Sequence, residues 1–505
     1  VFNCRLAQEP MTATLKTHAW ELLALALFCF VFLGGEYFFD ATLARFMSPA
    51  DVVLNQGMIL GASAVGFCSF EPFSRMRRRV RLACSIAFTV VGFGGIAVLF
   101  AEPDVLAMQA VGATCFLLLG LLGGAVHWMV SRRIAGYDRA ALLVGIAYAA
   151  GIAIQFIVNA TCVDRLAMSL ALAIGAAALI AVCHRCSAGK TLRLRGRLAD
   201  EAATGKASDG ADRIVDGAKL NEPGEGERKI ELGRKCGSEC EGESHPAASP
   251  RDILWLSVIV ALVSLMFITL DNIVTLADAG GDLDVGSWPR LLLAVSAIAA
   301  GALFDIRRRR YMNFIMFCVL MLSTIAILAA ETNGGLFWGL VLFYLASGFF
   351  VTYFTTSFMV MAPRTRRPAL WAGMGRAINN ICAFVIVGPS LALIQAGDIL
   401  LMIAVCMVLF VATIVAFFAS GAFLLDAAPD EGGRAEANRV AFVEEYGLTP
   451  REAEVFALVT ADERPLKEIA SEMDISLRML QKHLTSIYKK TDTQTRAGLT
   501  KKFLT

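Results

Sequence analysis

The sequence predicts an all-α chain: a polytopic membrane part of six plus six transmembrane helices, followed by a C-terminal four-helix domain. Three observations predict it. Apolar residues make up 57 % of the 505 residues and charged residues 18 %, against about half and about a quarter in soluble domains. The apolar residues are gathered into runs long enough to cross a bilayer, and from Leu448 onward the pattern changes to charged, amphipathic segments.

A membrane helix needs about 20 predominantly apolar residues. After a short segment, 1–19, six such runs fall near 20–39, 52–70, 82–101, 105–130, 140–161 and 166–183, giving a first half over 20–183. No cleavable signal peptide is expected, because the first run is itself long enough to span. Residues 184–250 are rich in Gly, Glu, Arg and Lys with almost no large apolar side chains. Such a stretch buries too little surface to offset its chain entropy, so it reads as a disordered linker. A second half over 251–425 holds runs near 253–276, 288–304, 311–330, 335–362, 369–396 and 399–425; a tether, 426–446, leads to the terminal domain, 447–505.

Lys and Arg in short loops mark the cytoplasmic side. The loops after runs two, four, eight and ten carry clusters beginning at Arg75, Arg132, Arg307 and Arg364, whereas the alternate loops carry mainly Asp and Glu, such as Asp51, Glu102, Asp164 and Asp282. The expected location is therefore the cell membrane, multi-pass, with the linker and both termini cytoplasmic and the lipid bilayer as a partner.

The chain has 13 cysteines, most of them inside apolar runs, where a thiol behaves as a small hydrophobe. Cys183-His184-Arg185-Cys186, Cys236, Cys240 and His245 would make a zinc or redox site if the linker closed on itself. The composition of the linker favours reduced thiols in a flexible loop, so no metal and no cofactor is expected. No phosphate-binding glycine loop, metalloprotease pair or kinase core is found, which argues against an enzyme.

The halves repeat. Trp20 precedes Glu36 by sixteen residues and Trp255 precedes Asp271 by the same interval, with Phe32 and Phe267 at matching places; the same offset carries Glu71 to within a residue of Asp305. Gly301-Ala-Leu-Phe-Asp305 followed by Arg307 to Arg310 is similar to the Gly-x-x-x-Asp-basic loop of the major facilitator superfamily. Its first-half counterpart, Gly66 to Glu71 then Arg75, is one residue longer and has Glu for Asp. The region 20–425 thus resembles that superfamily, whose two halves surround a midplane cavity. The resemblance implies a latch between the halves, with Glu71 paired to Arg376 and Asp305 to Arg139.

In the terminal domain, Thr449-Pro450-Arg451-Glu452 is a capping box with Pro at the first helical position. The helix it opens shows Val455, Phe456, Leu458 and Val459 on one face, and a second helix shows Leu466, Ile469, Ala470 and Met473. Asp474-Ile475-Ser476 makes a turn. A third helix, about 476–490, is expected to bury Leu477, Leu480, Leu484 and Ile487, and a fourth follows from Thr493.

The opposite face of the third helix carries Arg478, Lys482, Thr485, Ser486 and Lys489 and no acid, a set suited to phosphates and base edges in a major groove. Gln481, His483 and Lys490 complete the candidate DNA-contacting set, Gln481 and His483 at the flanks, where packing or capping is an equal reading. Leu448 to Val455, Lys467-Glu468-Ile469-Ala470, Ile475-Ser476, His483, Ile487 and Arg496 together resemble the LuxR-type helix-turn-helix. In that family the usual Thr-Val-Lys-x-His stands where Met479-Leu480-Gln481-Lys482-His483 stands here. The resemblance implies a bacterial, four-helical domain that binds double-stranded DNA as a homodimer.

Charges inside spans are costly and suspect by default. Glu36 and Asp271 lie at matching places near the outer ends of runs one and seven, where interfacial solvation is the alternative reading, while Arg376, Asn379 and Asn380 lie inside run eleven. These five are the candidate ligand-sensing residues. Tyr344, Thr352, Tyr353, Thr355, Thr356 and Ser357 of run ten suit either a cavity wall or helix packing. The expected function is a membrane-bound one-component transcriptional regulator that senses a small-molecule effector. The alternatives are a transporter with an appended regulatory domain, and a passive anchor.

Overall fold

The computed structural model describes residues 15–101, 104–162, 164–203, 248–282, 284–307, 309–332, 336–397, 399–420, 439, 442–461, 465–473 and 475–504. They divide into two compact units, Val1–Phe423 and Leu424–Thr505. Among the described residues the secondary structure is helical, with no strand.

The first unit contains α1 (Ala19–Leu43), α2 (Pro49–Ser74), α3 (Arg78–Ala101), α4 (Val105–Ile134), α5 (Ala140–Thr161) and α6 (Arg165–Ala203) in its first half. The second half contains α7 (Pro250–Gly280), α8 (Arg290–Phe304), α9 (Met312–Thr332), α10 (Leu336–Met361), α11 (Met374–Ala396) and α12 (Ile399–Ala419). Ten of the expected apolar runs fall on single helices to within two residues; run 369–396 opens on a separate short helix, Pro368–Trp371, before α11, and run 399–425 extends past α12 into residues that are not described. Among the described residues, nine helices (α1–α7, α10 and α11) are long and apolar enough to cross a membrane, and α8, α9 and α12 supply shorter apolar stretches.

Local chemistry sets several boundaries. Ser48 caps α2, accepting the Asp51 N–H at 3.3 Å, with Pro49 at the first helical position. Asp104 caps α4 through the Ala107 N–H at 2.7 Å. The helix α6 runs to Ala203, well past the expected end of the span at 183. Helix-forming residues outside the apolar run continue it, so the break to a linker comes later than hydropathy alone indicates.

The packing is twofold-repeated. Contacts of α1 with α5 and α6, of α2 with α4, and of α3 with α4 recur in the second half as α7 with α11 and α12, α8 with α10, and α9 with α10. Between the halves, the second helix of each packs on the fifth of the other: α2 on α11 and α8 on α5. Backbones meet closely at the second seam. A Cβ on Gly145 would lie 2.3 Å from the Ala297 carbonyl oxygen, and one on Gly301 would lie 2.6 Å from that of Ala141, so only glycine permits this approach.

The second unit has its own core. Its helices are α13 (Pro450–Ala461), α14 (Leu466–Glu472), α15 (Leu477–Thr491) and α16 (Arg496–Leu504). Val455, Phe456, Ile469, Leu480, Leu484, Ile487 and Leu499 are buried together. Leu477, expected inside, is 39 % exposed. It follows the cap residue Ser476, which accepts the Met479 N–H at 3.2 Å, and the first turn of α15 projects beyond the core. The packed domain also begins earlier than 447: Phe442 is buried, stacks on Phe456 at 4.7 Å and meets Phe503 edge-on at 5.7 Å.

Candidate functional site

A cavity of about 400 Å³ lies between the halves of the first unit, walled by α1, α2 and α5 on one side and α7, α8, α10 and α11 on the other. Glu36, Asp271, Arg376, Asn379 and Asn380 all line it. Glu36 accepts a hydrogen bond from Gln56 Nε2 at 2.9 Å. Asn380 donates to Ser63 Oγ at 2.7 Å, joining α11 to α2, and Asn379 donates to Asn380 at 3.3 Å.

The Arg376 side chain sits among three rings, with its guanidinium carbon 5.3 Å from the Phe354 centroid, 5.5 Å from Phe32 and 5.8 Å from Tyr148. It donates to the Tyr148 hydroxyl at 2.9 Å, and aromatic faces stabilise a cation that water does not reach. Arg290, not singled out in the sequence, donates to Gln155 Oε1 at 3.1 and 3.3 Å. Each of the two cavity arginines, Arg290 and Arg376, therefore reaches a polar side chain on α5. Asp40, Asp278 and Tyr37 also line the cavity. Asp40 and Asp278 fall just beyond runs one and seven, so the sequence placed them with the acids of the alternate loops, and Tyr37 in run one carried no signal of which wall it faced. Of the run-ten hydroxyls named as candidates, Tyr344 lines the cavity, joined by Ser347, which was not named; Tyr353 instead donates to Asn313 Oδ1 at 2.9 Å.

The expected pairing of Glu71 with Arg376 is not formed. Arg376 is turned into the cavity, while Glu71 is held by Arg75 on its own helix and lies 3.9 Å from Arg367 of the other half. Asp305 likewise takes backbone rather than Arg139. Its two carboxylate oxygens accept the N–H groups of Ala141 and Leu142 at 3.1 and 2.7 Å, in the first turn of α5. Orphan N–H groups and the positive end of the helix macrodipole favour a carboxylate there. Arg309 supports this contact, 3.6 Å from Asp305 and donating to the Tyr137 carbonyl at 2.8 Å. Together with Ser131 Oγ donating to the Met359 carbonyl at 2.6 Å, these contacts join the halves at the arginine-rich end of the bundle. The cavity wall reaches Ala44, Asp278 and Val285, near the ends of α1 and α7 that lead into the acidic loops.

The second unit presents α15. Arg478, Gln481, Lys482, Thr485 and Lys489 are exposed along it, and His483 is half-buried. Ser486 and Lys490 point to Glu452: Ser486 Oγ donates to Oε1 at 2.6 Å and Lys490 Nζ to Oε2 at 2.7 Å. The expected capping box is present, with the Thr449 N–H donating to Glu452 Oε2 at 2.8 Å and the Glu452 N–H donating to Thr449 Oγ1 at 3.4 Å. Burial opposes ionisation of Glu452, but the bonds from Lys490, Ser486 and Thr449 outweigh it and hold the carboxyl down at about 2.

Among the described residues no group of three or more His, Cys, Asp or Glu side chains is arranged to hold a metal ion. Cys236, Cys240 and His245 lie outside the described residues.

Residues 447–503 match the family described as bacterial regulatory proteins, luxR family. No curated protein sequence matches the chain. Among solved structures, the human organic anion transporter MFSD10 (TETRAN) is 14 % identical with a TM-score of 0.46, over 83 % of this chain and 99 % of that one. The proton:xylose symporter XylE, of the major facilitator superfamily, is 12 % identical with a TM-score of 0.45, over 81 % of this chain and 95 % of that one.

Proposed function

We propose, from the premise that a LuxR-type helix-turn-helix domain is joined in one chain to a helical, multi-pass membrane domain, that the protein is a membrane-bound one-component transcriptional regulator. A small molecule occupies the cavity between the halves, biases the membrane domain toward one conformation, and so changes promoter occupancy by the terminal domain. The observation that carries this reading is the fusion itself, with a polar cavity held in the membrane part. The arginine-rich loops support a cytoplasmic linker and cytoplasmic termini, which gives the DNA-binding domain access to the chromosome. The exposed row of Arg478, Lys482, Thr485 and Lys489 supports α15 as the helix that enters the major groove, with a second copy of the chain on the other half-site.

An effector must prefer one conformation, since equal affinity shifts no equilibrium. A coupling of about 1–3 kcal/mol changes occupancy by roughly five- to 150-fold. The test is replacement of residues 20–425 by an unrelated membrane anchor, with genome-wide mapping of bound DNA. Sensing requires that the chimaera keep its operators and lose its response to growth conditions. A chimaera that responds normally reduces the membrane domain to an anchor. Uptake measured in vesicles separates sensing from transport.

A further inference from the structure

We infer that the cavity takes a small organic cation, a protonated amine whose other end carries a neutral hydrogen-bond acceptor. This deepens the sensing role proposed above and rests on it. The wall holds four carboxylates, Glu36, Asp40, Asp271 and Asp278, against two guanidiniums, Arg290 and Arg376. Neither guanidinium is hydrogen-bonded to these acids: Arg290 is bonded to Gln155 and to the Val285 carbonyl, and Arg376 to Tyr148. Glu36 receives its hydrogen bond from the neutral Gln56, and Asp40 Oδ1 is buried without a hydrogen-bond partner. A wall with excess carboxylate, out of bulk water, favours an occupant of opposite charge.

A second observation is independent of the acids. The Arg376 side chain is more than nine-tenths buried, and its Nε has no hydrogen-bond partner. The guanidinium makes one hydrogen bond, to Tyr148, and lines the cavity; an unpaired buried donor is costly, and a ligand oxygen that accepts from the N–H groups left on the cavity side relieves that cost. The volume, about 400 Å³, fits a compact ligand, near the lower end of small-molecule sites. Phe267 and Phe350, stacked at 4.9 Å, supply an apolar wall for its body.

The test uses the full-length protein in detergent micelles and three probes that share one body and one acceptor: 4-methoxybenzylammonium, 4-methoxybenzyl alcohol and 4-methoxybenzoate. Thermal unfolding is followed by intrinsic tryptophan fluorescence. The ammonium is expected to raise the melting temperature in a saturable way, with neither the alcohol nor the benzoate matching it. The shift is expected to disappear in Glu36→Gln/Asp271→Asn and to weaken in Asp40→Asn, each variant first shown to elute as the parent does. An equal or larger shift with benzoate, a shift retained in the double variant, or no shift with any probe overturns the assignment. Promoter occupancy in cells separates the two proposals. An amine that fills the cavity without changing occupancy removes the sensing role and leaves the ligand class standing. A Glu36→Gln/Asp271→Asn variant with a normal promoter response removes the ligand class and leaves sensing standing.

Discussion

Lys490 Nζ donates to Glu452 Oε2 at 2.7 Å, fastening the last turn of α15 to the first turn of α13. The same carboxylate closes the cap of α13, so one side chain both orients α15 and starts α13.

This carboxyl sets an acid limit. Its folded value, about 2, lies below the ordinary 4.5, so the stability it contributes is fully present above about pH 4.5 and is lost as pH falls through about 2. Residues 424–505, followed by circular dichroism, are expected to lose stability across that window, and Glu452→Gln to flatten the profile. An unchanged profile in Glu452→Gln removes this residue as the cause.

Two lysines of α15 are expected to fail differently. Lys482 is exposed, so Lys482→Glu should lower affinity for duplex DNA by tenfold or more, on the order of 1.4 kcal/mol or greater, without moving the melting temperature. Wild-type affinity should fall as salt rises, through counterion release. Lys490→Ala should instead lower the melting temperature. Titrations by fluorescence anisotropy, paired with melts, distinguish the two.

Asp305 closes the arginine-rich end by capping α5. Removing that cap should cost about 1–2 kcal/mol and loosen the seam between the halves. A cysteine placed at Ser131, fully buried beside Met359, is expected to react with a membrane-impermeant maleimide several-fold faster in Asp305→Ala than in the parent, measured in inverted vesicles. Equal rates would mean that the contact carries no closing energy.

Gly145→Ala should lower the melting temperature of the full-length protein, since its Cβ would meet the Ala297 carbonyl oxygen at 2.3 Å. Overpacking of this kind costs about 1–3 kcal/mol. Gly92→Ala on α3, where a Cβ would meet nothing within 4 Å, is the control and should not.

The sequence made the helices legible because lipid permits few alternatives: an apolar run of that length must satisfy its own backbone. Charge in such a run is equally legible, and for this reason Glu36, Asp271 and Arg376 could be singled out and are now found lining one cavity from both halves. Their partners were not legible. Tyr148 lies 228 residues from Arg376, and no local period reports a meeting set by the packing of two halves. The latch was misread because carboxylates were matched to side-chain cations, when the backbone N–H groups opening α5 were the acceptable partner for Asp305. Leu477 kept the spacing of the buried stripe, but its turn overhangs the core, which periodicity cannot register. Phe442 was missed because the apolar segment around it, Val440 to Val443 with Tyr446, is too short to establish a period and was assigned to the tether.

The stacking of Phe442 on Phe456 has a mechanical consequence. Any pull travelling along the chain from the N-terminal side reaches this ring pair before it reaches α13, the helix whose Glu452 holds α15. Load arriving at Phe442 is therefore passed through the ring stack to α13, whose Glu452 holds α15. A fragment cut at 447 would lack that grip and leave the face of Phe456 open to water.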